Sequence, residues 1–356
     1  MRPTFLYSLL ATALFAATLS AHAQILAWQE VAPMNVSRSE MRAVVIGGKI
    51  YVAGGFNAAG QQLSSVEAYD TASNTWTLRA PAPRGMDHHM MAAHGGKLYV
   101  LKYDSIYIYD PAANAWSSRG GAGMLARDDG TAVTFGEHIY VIGGGPLPIQ
   151  RYAPGTGQWE TRASLQTSRG HVNAVVLDGK IWVLGGRSGS AAFRTVEVYD
   201  PVANTVTAGP SMDSERSGHA AEAVNGRIVV SGGEAPGNPW RLTSTTEILN
   251  PGTGDWNFIV SPDTAVHGQG SASLGDYFYV IGGATVAASA VNTRRVYRLN
   301  LSTPAGAGLS TPRSGKKAVE GPVWRRESGT VVFEAEKGVF QANGRTLPLA
   351  SPASRD

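Results

Sequence analysis

Residues 50–76 read IYVAGGFNAAGQQLSSVEAYDTASNTW, and three of their features recur along the chain. An apolar run closes on Gly54-Gly55, Glu67-Ala68-Tyr69-Asp70 follows, and Trp76 comes shortly after. Tryptophans stand at Trp28, Trp76, Trp116, Trp159 and Trp256, with Val206 in the one gap, in steps of 48, 40, 43, 47 and 50 residues. A self-similar unit of roughly 40–50 residues marks a propeller blade or a solenoid turn.

The other two features keep the same beat. Paired glycines recur at Gly143-Gly144, Gly185-Gly186, Gly232-Gly233 and Gly282-Gly283, each after a short apolar run. Glycine there allows a positive φ where a side chain would clash. Tyr109-Asp110-Pro111, Tyr199-Asp200-Pro201 and Leu249-Asn250-Pro251 repeat the third feature, ending a strand in a turn. Each unit therefore reads as four short strands, in the third unit 130–134, 138–142, 149–152 and 158–162. Nothing longer than one or two turns reads as helix.

Paired glycines, then Tyr-Asp, then Trp at this spacing resemble the Kelch repeat, over most of residues 28–300. Unit two departs with Lys102-Tyr103 for the glycines, and unit four with Val206 for the tryptophan. The resemblance implies an all-β, six-bladed Kelch β-propeller. The last unit lacks its tryptophan, while Trp28 has no unit before it. The segment 28–34 is thus expected to supply the outer strand of blade six and close the ring, leaving only short protected edges.

Residues 1–23 read as a signal peptide, with Arg2 ahead of an apolar run and Ala21-His22-Ala23 as a small-x-small cleavage site. Cleavage is expected after Ala23, and the location periplasmic or secreted; no other segment is long and apolar enough to span a bilayer. The propeller then occupies 24–301, a Ser/Thr/Pro/Ala/Gly linker 302–315, and a short β-rich tail 316–356 whose apolar runs read as two hairpins. A net charge of +3 over 356 residues, with no dense basic block, argues against nucleic acid.

In a propeller the first strand of each blade lines the channel, so the residues entering it converge on one mouth. Arg38, Arg127, Arg169 and Arg216 all stand 16 residues before a glycine pair. Two roles fit them: bracing carbonyls of the neighbouring blade, or gripping an anionic or hydroxyl-rich ligand, as resembles Kelch propellers that capture acidic peptides. Beside this column come Glu40, Arg42, His88, His89, Asp128, Asp129, His171, Asn173, His219, His267 and Gln269, giving a polar mouth expected to be net positive. The histidines His88, His89, His171, His219 and His267 fall at three offsets, so they are read as hydrogen-bonding groups; neither a metal nor a cofactor is expected. The loop 234–241 carries two prolines and Trp240, an aromatic placed to stack on a sugar or anchor a partner.

The expected function is an exported binding module for a glycan or an acidic peptide or protein, using Arg38, Arg127, Arg169, Arg216, Asp128, His171, His219, Glu234, Trp240 and Arg241. The alternative rests on resemblance: Gly233-Glu234-Ala235 with Arg241 looks like a loop of the periplasmic N-acetylneuraminate mutarotases. It implies that Glu234 is the general acid or base and Arg241 the carboxylate ligand. As a loop acid, Glu234 is expected to matter little for stability. Copper radical oxidases share the fold but need a cysteine, and this chain has none.

Overall fold

The computed structural model describes residues 26–262 and 264–302, and in the tail the strands Val323–Glu327, Thr330–Ala335, Gly338–Gln341 and Thr346–Leu347. The expected signal peptide, and the expected linker beyond Ser302, lie outside the described residues. No helix occurs among the described residues.

Six four-stranded antiparallel sheets form a propeller. Blade one runs Arg42–Ile46, Lys49–Ala53, Val66–Asp70, Thr75–Arg79 from channel to rim, paired in chain order. Blades two to five repeat it, with inner strands Met90–His94, Gly130–Phe135, Asn173–Leu177 and Ala220–Val224. In blade six the inner strand is Gly270–Leu274, and Trp28–Val31 pairs with Val296–Asn300 as the outer strand. The expected closure is therefore the observed one. The six inner strands touch in a closed circle.

The repeat motif explains its own conservation of type from blade to blade by what it bonds. The Asp70 carboxylate accepts the amides of Ala72 and Ser73, making the turn. That turn places Asn74 at φ 54, where its Oδ1 accepts both the Tyr69 hydroxyl and the amide of Ala32 in the preceding blade's exit. Trp76 stacks on Tyr69 at 5.0 Å and donates its indole N–H to the Ala32 carbonyl. Trp116 does the same to Ala80, and Trp256 to Pro210. These three tryptophans each tie an outer strand to the blade before it, while buried tyrosines and aliphatic side chains fill the space between blades.

The chain divides into two compact units, 1–309 and 310–356. In the second, the strands pair in chain order as a four-stranded meander, with Trp324 opposite Phe333 and Phe333 opposite Phe340 in register. Two hairpins were expected there; the meander joins them into one sheet and adds Thr346–Leu347.

Candidate functional site at the channel mouth

One position per blade, 14 residues before the glycine pair, shapes the mouth. It is held by Glu40, His88, Asp129, His171, Gly218 and Gly268, all with left-handed backbone, φ 46 to 61. Their backbones bond from blade to blade: His88 N donates to Glu40 O, Glu40 N to Gly268 O, Gly268 N to Gly218 O and Gly218 N to His171 O. A Cβ on Gly268 would lie 2.3 Å from Glu40 Oε1, so glycine there makes room for that carboxylate. A non-glycine residue with positive φ costs roughly 1–2 kcal/mol. Four of the six positions carry an ionisable side chain despite that cost, the pattern of strain held at a working site.

These side chains meet. Glu40 Oε2 is 3.3 Å from His88 Nε2, and Glu40 Oε1 is 3.3 Å from His267 Nδ1. His88 Nδ1 is fixed by Asp87 at 2.6 Å, and its ring meets that of His171 edge to face at 5.1 Å. Asp129 lies 3.7 Å from His88 and 3.4 Å from His171. Arg187 runs along the edge of His171, with Nη2 2.9 Å from Nε2, and donates to Glu234 Oε1 at 3.2 Å. Glu234 Oε2 accepts the amide of Ala288 at 2.8 Å and lies 3.7 Å from His267 Nδ1. Two aromatic rings flank the cluster, Phe56 against His88 at 5.7 Å and Trp240 under Arg187 at 5.2 Å.

The charge states follow from these neighbours. Burial alone would raise the Glu40 carboxyl, but the His267 hydrogen bond and the charges of His88, His171 and His267 outweigh it and hold it down to about 2. Burial opposes protonation of His88, yet the Asp87 hydrogen bond and the charges of Glu40 and Asp129 raise its pKa. His267 is likewise raised against burial, by Glu40 and Glu234. Burial, reinforced by Arg187, lowers His171 to about 3. Burial raises the Asp129 carboxyl, so the mouth presents an ionised Glu40, protonation-prone His88 and His267, and a neutral His171.

Beneath the mouth lies a channel of about 300 Å³ lined by the inner strands. Arg42 reaches across it from blade one to the carbonyls of Gly130 and Val172. Glu222 faces the same space, accepting Ser271 at 2.9 Å and Ser273 at 3.3 Å; burial raises its carboxyl to about 7.

The sequence-derived residues separate sharply by place. Arg38, Arg169 and Arg216 are completely buried and ion-paired with Glu67, Glu197 and Glu247. Arg38 Nη1 donates to Gly54 O and Ser65 O, Arg169 Nη1 to Gly185 O and Thr195 O, and Arg216 repeats the pattern. Arg127 is bound in the same way to Gly143 O, Pro148 O and Gln150. These are bracing contacts. They correct the expected neighbour, since the carbonyls belong to each arginine's own blade, and they remove the expected positive charge from the mouth.

The three histidine offsets resolve into three roles. His89 and His219 are fully buried and held neutral by desolvation, their ring nitrogens without hydrogen-bond partners among the described residues. His88 and His171 share the left-handed ring position with Glu40 and Asp129, and His267 walls it. Asp128 turns away and pairs with Lys102 at 2.5 Å. Arg241 is 67% exposed, faces Glu215, and does not meet Glu234. Glu234 itself is only 3% exposed, against the expectation of a loop acid with little structural weight.

Sequence reading gave Asp87 and Arg187 no part in the site. Arg187 was nonetheless findable: Phe56, Arg187, Glu234 and Ala284 all stand two residues after the first glycine of a pair, and all bridge back to the segment entering an inner strand. Asp87 carries no comparable mark in the sequence, because its role depends on the turn that points it at His88.

A family model described as the Kelch motif matches residues 37–83, 168–213 and 215–262, which hold blades one, four and five. Mouse Kelch-like protein 35 is 33% identical over 206 residues, covering 55% of this chain and 36% of that protein. Human Kelch-like protein 38 is 27% identical over 209 residues, 54% of this chain and 35% of that one. Beta-scruin of Limulus polyphemus is 27% identical over 225 residues, 55% and 24% respectively. The chain thus spans about a third of the length of such curated relatives, or less. The solved structure of YjhT superposes with a TM-score of 0.67 at 15% identity, covering 75% of this chain and 95% of that one, a likeness of fold.

Proposed function

We propose that this chain, a six-bladed propeller of Kelch repeats, is a binding module that takes a hydroxyl-rich ligand, a glycan, at the channel mouth. One observation carries the reading: donors and acceptors alternate around one opening, with Arg187, His88 and His267 against Glu40, Asp129 and Glu234, and the aromatic faces of Phe56 and Trp240 stand beside them. Hydroxyl groups both donate and accept, and sugar rings stack on aromatic faces, so such a mouth matches them group for group. An acidic peptide fits less well, because the arginine column is consumed inside the blades. Kelch propellers are interaction modules, and no described helix is long and apolar enough to cross a membrane. The leader at residues 1–23 supports export, which N-terminal sequencing of the secreted protein would check.

A glycan and peptide array with the mature protein tests this, followed by titration of the Glu234→Gln variant. We expect glycan binding, weakened about 10-fold or more when one charge-assisted hydrogen bond is lost. Binding confined to acidic peptides would overturn the glycan reading.

The mutarotase reading retains one specific support, the placing of Glu234 3.7 Å from His267, which also meets Glu40, as an acid–base group. Arg187 then stands where the resemblance implied Arg241. Sialic acid anomer interconversion followed by NMR decides it: no rate above the spontaneous one eliminates this reading and leaves binding alone.

A further inference from the structure

We infer that Glu40, His88 and His171, with Asp129 beside them, form a binding site for a divalent first-row metal ion, zinc by the chemistry of its ligands. Ligand atoms of Glu40, His88 and His171 all lie within 4.8 Å of one another. A tetrahedral zinc with bonds of about 2.0–2.1 Å sets its ligand atoms about 3.3–3.4 Å apart. Two of the separations between candidate donors fall on that edge, 3.3 Å from Glu40 Oε2 to His88 Nε2 and 3.4 Å from Asp129 Oδ2 to His171 Nδ1, while Asp129 Oδ1 lies 3.7 Å from His88 Nε2. Two imidazoles with two carboxylates suit zinc and its first-row neighbours better than calcium or magnesium, which prefer all-oxygen shells.

Two further observations point to a ligand rather than to a chance cluster. Asp87 holds His88 Nδ1 at 2.6 Å, which leaves Nε2 facing Glu40 and Asp129, the carboxylate–histidine arrangement that orients metal ligands. All four residues also occupy the same left-handed ring position in four different blades, so the fold itself aims their side chains at one axis. The offsets that argue against a metal at the level of sequence do not separate these residues. Arg187 competes for His171, and it has a second partner in Glu234 on which to settle when an ion takes the imidazole. An ion here takes Glu40, His88, Asp129 and His171, and leaves Arg187, His267, Glu234, Phe56 and Trp240 to the ligand of the mouth.

The test is titration of the untagged, metal-stripped mature protein with zinc, and with cobalt as a coloured substitute, followed by X-ray absorption of the zinc-loaded form. We expect one equivalent bound, a tetrahedral cobalt spectrum and a zinc shell containing two imidazoles. His88→Asn and His171→Asn each keep a residue that tolerates positive φ, and each is expected to abolish stoichiometric binding. Asp87→Asn should weaken it about 10–100-fold, the range for a lost outer-shell partner. His94→Asn, away from the mouth, should bind as the unaltered protein does. Absence of stoichiometric binding, or a zinc shell without imidazole, overturns the site without recourse to any variant. So does unchanged affinity in the two asparagine variants.

Discussion

At the scale of single residues, burial decides which charges are structural and which are available. Arg169 is enclosed with Glu197 and satisfies two carbonyls, so Arg169→Ala would leave a buried carboxylate and two acceptors without their donor. Removing one partner of a buried pair typically costs about 3–5 kcal/mol. We expect a loss of that order in chemical denaturation, with unaltered affinity for whichever ligand the array identifies; weakened affinity at full stability would return the arginine to the mouth. Glu222 makes the opposite case. Its carboxyl is raised to about 7 in the fold against an unfolded value near 4.3, so the folded chain holds the proton more tightly. Its penalty is absent below the unfolded value, grows as pH rises between the two, and is complete above the folded one. Glu222→Gln is therefore expected to raise Tm at pH 8 and leave it unchanged at pH 4, and equal shifts at both would show that ionisation is not the cause.

At the scale of elements, the ring is held by a strand from the far end of the propeller sequence. Four residues, Trp28 to Val31, pair with Val296–Asn300, and Trp28 packs on Phe278 at 5.9 Å. Arg295 adds a contact to Glu30 at 2.9 Å. Without that strand, blade six presents an unpaired edge and the space between blades five and six opens, which favours aggregation. Deleting residues 24–34 should lower Tm and bring concentration-dependent association, read by calorimetry and light scattering; a soluble monomer with unchanged melting would refute the closure. The same logic explains why Val206 is tolerated in place of tryptophan. Blade four keeps the other tethers, Tyr199 to Asn204 and Asn204 to the Ala163 amide, so the indole anchor is one of several.

At the scale of the whole molecule, six repeats converge a few side chains per blade on one axis, and the chemistry depends on which of those few face inward. The period, the glycine pairs and the Tyr-Asp-Trp groups are local and periodic, so the sequence alone determined the propeller, its blade number and the strand that closes it. The column entering the inner strands was legible too, and it contains most of the mouth: Glu40, His88, Asp129, His171 and His267. What each member does was not legible. Arg38, Arg127, Arg169 and Arg216 differ from Glu40 and His88 by only two residues in register, yet the backbone's left-handed turn sends one set into the blades and the other into the mouth. The partnerships of Arg187 with Glu234 and of Glu234 with His267 cross between blades, over separations in sequence that no motif encodes. Spacing along a chain fixes hydrogen-bonded strands because their partners are near neighbours, whereas a site on the propeller axis is fixed by closure of the ring, and only the tertiary structure decides it.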